Sequence, residues 1–146
     1  MLTPQLNLIV AWFWILLGFA SGMAMGMKFQ QADWLGGYTS LKRRLYRLAH
    51  ISFFGLGAVN LLFYFTTKGF PASNSLAVAC AAFVAGAVTM PLCCVVMAHR
   101  PKLQPLFAVP VISLLIGAGL TIAEIVFNQT GAGAWNFGPG FATQRN

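Results

Sequence analysis

The sequence predicts an all-α integral membrane protein: one domain of four transmembrane helices in an antiparallel bundle, with both termini on the outer side. Three observations carry that expectation. Hydrophobic residues make up 58% of the 146-residue chain and charged residues only 8%, where a soluble domain carries roughly 25% charge. A water-facing surface cannot be built from nine basic and two acidic residues. The apolar residues fall into four runs of about 20, the length at which a helix rising ~1.5 Å per residue crosses a hydrocarbon core of ~30 Å. Most of the basic residues sit at the ends of those runs rather than along one helix face. Four spans and short loops use nearly the whole length and leave no room for a soluble catalytic domain.

The first span, about Leu6 to Met27, holds Trp12, Phe13, Trp14 and Phe19 and no charge. No Lys or Arg precedes it, so it reads as a retained span rather than a signal-peptide core. Gly18, Gly22 and Gly26 share one face; small residues let two backbones approach, and close packing drives helix association in lipid. The third span has a similar small-residue run, Ala77, Ala81, Ala82, Ala85 and Gly86, and the two spans are expected to pack against one another.

The second span, about 41–66, is preceded by Thr39 and Ser40, which can cap its free N–H groups. It opens with Lys42, Arg43, Arg44 and Arg47, so its lipid-buried part begins near Leu48; Asn60 is an amide in its middle, suited to a hydrogen bond across helices. Lys68-Gly69-Phe70-Pro71 turns the chain. The third span, about 75–98, contains Pro91 and the cysteines Cys80, Cys93 and Cys94, and Arg100-Pro101 ends it. The fourth, about 106–127, follows Pro105 and carries Glu124 near its far end. The tail 128–146 is rich in glycine, with Trp135, Phe137 and Phe141, suited to the membrane interface or to a partner surface.

Orientation follows from the charges. Lys28, Lys42, Arg43, Arg44, Arg47, Arg100 and Lys102 lie on one side, against Lys68 and Arg145 on the other. The positive-inside rule places the basic loops in the cytoplasm. This same membrane pattern accounts for the net charge of +7 without nucleic acid, which would need a water-exposed basic face.

Several side chains could carry chemistry. His50 and His99 fall at the same depth on the basic side, and two histidines on facing helices could ligate the iron of haem b, with Arg47 and Arg100 pairing with its propionates. Glu124 is the one acidic residue inside a span, and with Asn60 it could serve a small ion or metal transporter. Met23, Met27, Met90, Cys93, Cys94 and Met97 are soft donors of the kind that bind Cu(I), although apolar packing accounts for them better. Lys42, Arg43, Arg44 and Arg47 are expected to hold anionic head groups, with Trp34 and Tyr38 at the same level.

There is no phosphate loop, no paired carboxylates and no His-Glu-x-x-His, so the chain is not expected to be an enzyme by itself. The stretch Arg43 to Ile51 resembles small bacterial inner-membrane proteins. The leading expectation is an accessory or structural subunit of a larger inner-membrane complex, respiratory or otherwise bioenergetic, with the lipid bilayer and other membrane subunits as partners. A haem b electron carrier and a Glu124-dependent transporter are the alternatives.

Overall fold

The computed structural model describes residues 3–133, the side chains of 129–133 excepted. The described residues form four helices, α1 (Pro4–Lys28), α2 (Leu41–Thr67), α3 (Asn74–His99) and α4 (Ala108–Gly133), with 3₁₀ turns at Trp34–Gly36 and Pro101–Phe107. No strand occurs among the described residues. α1, α2, α3 and the fourth helical stretch, Pro101–Asn128, are long and apolar enough to cross a membrane, so the described residues form an all-helical, multi-pass membrane protein. The tail aromatics Trp135, Phe137 and Phe141 lie outside the described residues.

The helix ends follow local chemistry. Pro4 opens α1, where a missing N–H costs nothing. Ser40 caps α2 by accepting from the Arg43 N–H at 3.1 Å, while its own hydroxyl donates to the Leu35 carbonyl at 2.6 Å. Ser73 caps α3 through the Leu76 N–H at 3.0 Å. Gly36 and Gly37 take φ of 85° and 90° in the α1–α2 loop, which only glycine adopts freely. The regular α-helical geometry of the fourth span begins at Ala108. Pro101 and Pro105 withhold two N–H groups, and the segment winds as a 3₁₀ turn.

α2 and α3 form the centre. α1 lies against α2 and touches α3, and α4 lies against α3. Accordingly half of the α3 span is buried, but only 11% of the α1 and α4 spans. The core is Phe63, Leu76, Ala79, Cys80 and Phe83, with the Phe63 and Phe83 rings 5.1 Å apart.

Helix contacts pair a large side chain with a glycine. A Cβ on Gly18 would stand 2.8 Å from the Phe54 ring, and one on Gly22 2.9 Å from Cε1 of His50. The glycine face of α1 therefore receives α2, while α1 meets α3 through Trp14, whose Nε1 donates to the Ala87 carbonyl at 3.0 Å. On α3, Gly86 is filled by Leu114 of α4, and Gly117 of α4 by Phe83. Gly18, Gly22, Gly86 and Gly117 thus accept rings and branched chains, whereas Gly57 of α2 meets the backbone of Ala11 on α1, where a Cβ would stand 3.2 Å from the Ala11 carbonyl. Gly26, the third member of the face, meets nothing within 4 Å. Gly18→Ala should therefore cost about 1–2 kcal/mol through overpacking, whereas Gly26→Ala should be neutral or slightly stabilising. Unfolding in detergent checks the order, and equal effects would mean that the Gly18–Phe54 contact does not set helix spacing.

Candidate functional site at the basic end

The end of α1, the start of α2 and the end of α3 converge where the basic residues lie. Arg44, Arg47, Arg100 and Lys102 are exposed there and Lys42 half-buried. Arg43 departs from the head-group role expected of it. It is 1% exposed, with its guanidinium 3.7 Å from the Tyr38 ring centre and 5.5–5.7 Å from those of Trp34 and Phe29. It donates to the carbonyls of Phe29 at 3.2 Å and Ala32 at 3.5 Å. A cation so enclosed cannot reach lipid phosphates; it clamps the loop onto α2.

Further along α2, Tyr46 and His50 reach different partners. The Tyr46 hydroxyl lies 2.9 Å from Nε2 of His99. His50 places Nδ1 2.9 Å from Oγ of Ser21 on α1, with its ring edge-on to Phe54. Ser21 Oγ also lies 3.0 Å from the Gly18 carbonyl, so its one hydroxyl proton can go to Nδ1 or to that carbonyl, and in the second case Nδ1–H donates to Oγ. Donation of the Ser21 proton to Gly18 would leave the lone pair on Nε2, the arrangement that orients a ligating histidine. Gly22 makes room for the ring.

Beside His50 is a cavity of about 280 Å³, walled by Ser21, Met25, Trp34, Tyr46, Phe53 and Val95 among others. His99 is not part of its wall. The two histidines thus share an end of the molecule but not a cavity, and the Nε2 of His99 is engaged by Tyr46. The sulfur donors are also dispersed: Met23 and Met27 are exposed on α1 while Cys93 and Cys94 are buried on α3. Among the described residues no three His, Cys, Asp or Glu side chains are grouped to hold a metal.

Two polar clusters lie toward the opposite end. Asn7, Asn60 and Cys80, all 0% exposed, join three helices. Asn7 Nδ2 donates to Asn60 Oδ1 at 2.8 Å, the Cys80 thiol donates to Asn7 Oδ1 at 2.7 Å, and Asn60 Nδ2 donates to the Leu56 carbonyl at 2.8 Å. Glu124, 9% exposed, accepts from the hydroxyls of Ser73, at 2.6 Å, and Ser75. Its position at the first turn of α3 also suits a negative charge. Lys68 lies over Phe65, and the serines rather than that lysine serve the carboxylate. Asn7, Ser21 and Tyr46 carry no signal in the linear sequence that would single them out; their roles arise from partners on other helices.

Comparison with family models, with curated proteins and with solved structures finds no match.

Proposed function

We propose that the protein is a non-catalytic structural subunit of a larger assembly in the bacterial inner membrane, an antiparallel four-span bundle with both termini outside and its basic loops in the cytoplasm. The observation that carries this reading is the division of labour among the helices. α2 and α3 make the core, while α1 and α4 turn large apolar side chains outward, such as Trp12, Leu16 and Phe19 on one and Ile112, Leu115 and Ile122 on the other. Interior polar groups are meanwhile bound to each other. Among the described residues no buried side-chain nitrogen or oxygen lacks a partner. Asn60 and Glu124, the pair a transporter would need along one path, belong to separate hydrogen-bonded clusters.

A photoreactive residue at Leu16 or Leu115, activated in native membranes, tests the proposal. A discrete adduct to another membrane protein from at least one face, in fixed ratio after mild extraction, is the expected result. Adducts only to lipid, or only to a second copy of the chain, would overturn it.

A further inference from the structure

The cavity beside His50 has features that a purely structural bundle does not require. Its wall presents the aromatic residues Trp34, Tyr46 and Phe53 together with Met25 and Val95, and no charged side chain is among its lining residues. The polar groups of the wall are Ser21, the Tyr46 hydroxyl and His50; the Tyr46 hydroxyl is engaged by His99, and with the Ser21 proton given to the Gly18 carbonyl, Ser21 takes Nδ1–H and Nε2 carries a lone pair. Such a site takes a neutral, planar, largely apolar molecule that brings a hydrogen-bond donor, because aromatic walls favour a ring and a lone pair needs an O–H or N–H. At about 280 Å³ it stands at the low end of ligand pockets, which run roughly 300–1,000 Å³, so it suits one ring and not a macrocycle. It also lies where the apolar spans meet the basic loops, at the depth amphipathic rings prefer in a bilayer.

We propose that this cavity binds the head group of a membrane-dissolved hydroxylated ring, a quinol-type molecule, whose hydroxyl donates to Nε2 of His50. Trp34, Tyr46 and Phe53 sandwich the ring. Ser21 and Gly22 act through His50, one fixing its tautomer and the other giving it space. The oxidised ring, whose carbonyls only accept, binds less well because it faces a lone pair with a lone pair. This site is independent of any partner subunit.

The test uses the full chain in lipid nanodiscs, titrated calorimetrically against empty nanodiscs with a benzoquinol carrying one isoprene unit, with the matching quinone and with the quinol dimethyl ether. Saturable one-to-one binding of the quinol is expected, at least about tenfold tighter than either other probe; tenfold corresponds to ~1.4 kcal/mol. His50→Phe should remove that preference, Ser21→Ala should reduce it severalfold, and Glu124→Gln at the other end should leave it intact. The three probes on the unaltered protein decide the matter even where His50→Phe does not fold. Equal binding of quinol and ether overturns the proposal, as does the absence of saturable binding to a protein that unfolds cooperatively. So does a haem absorption band in the purified protein that His50→Phe abolishes, since Nε2 would then belong to iron.

Discussion

Replacing Arg43 with alanine should destabilise the protein by about 3 kcal/mol and loosen the loop from Phe29 to Ser40. The magnitude follows from what the side chain does. Its guanidinium stacks 3.7 Å from the Tyr38 ring centre and is flanked by Trp34 and Phe29; a desolvated cation–π contact contributes about 2 kcal/mol. It also donates to the Phe29 and Ala32 carbonyls, and hydrogen bonds to charged groups contribute roughly 1.5–3 kcal/mol each. These terms overlap, so their sum exceeds the net effect. Arg43→Lys should recover less than half, because an ammonium keeps the charge but not the planar fork that stacks and donates at once. Unfolding in detergent gives the energy, and hydrogen exchange across Gly37–Ser40 reports the loop. Arg44→Ala, at an exposed position on the same turn, should change stability by no more than about 0.5 kcal/mol. If Arg43→Ala and Arg44→Ala behaved alike, the clamp would have no energetic meaning.

Arg43 also shows where linear reading stops. Within the stretch Lys42 to Arg47, charge counting treats every basic residue alike, and it correctly finds a polar end to an apolar span. It cannot tell which residue of a turn points inward. Phe29, Trp34 and Tyr38, three rings in a short loop beside a cation, are the signal that could have found it, and an interfacial role for Trp34 and Tyr38 explains the same rings equally well. The four spans are legible because lipid demands length and apolarity, both one-dimensional properties. The glycine face is legible as a packing surface, yet its partner is not. A small residue is equally compatible with another small residue or with a ring, and Phe54 and His50 settle the matter in three dimensions. Likewise depth alone picks out His50 but not Ser21, which in the sequence is one more small residue of α1. Its oxygen becomes informative only when it is found 2.9 Å from Nδ1. Proline chemistry accounts for the 3₁₀ winding that precedes α4, since Pro101 and Pro105 each withhold a backbone N–H.

Asn60→Leu should cost about 1.5 kcal/mol, and the loss should shrink when Asn7 is already leucine. Asn60 accepts from Asn7 at 2.8 Å; without it, Nδ2 of Asn7 retains only a 3.4 Å contact with the Cys80 carbonyl. An amide left unsatisfied in an apolar interior costs about 1–3 kcal/mol, whereas removing both partners is close to neutral. Interhelical hydrogen bonds in membranes average nearer ~0.6 kcal/mol with a maximum near ~1.7, and the full burial of this pair places it at the upper end. The double variant Asn7→Leu/Asn60→Leu should therefore be more stable than the summed single losses by about 1 kcal/mol, measured as a double-mutant cycle in detergent unfolding. Additive losses would show that the two amides do not depend on each other. The same cycle bears on function. An amide that ties α1 to α2 and α3 affects the stability of the bundle when it is lost. An amide lining a conduction path would instead leave stability unchanged and abolish flux in proteoliposomes. Because Asn7, Asn60 and Cys80 satisfy one another through short hydrogen bonds, the expected loss is of stability.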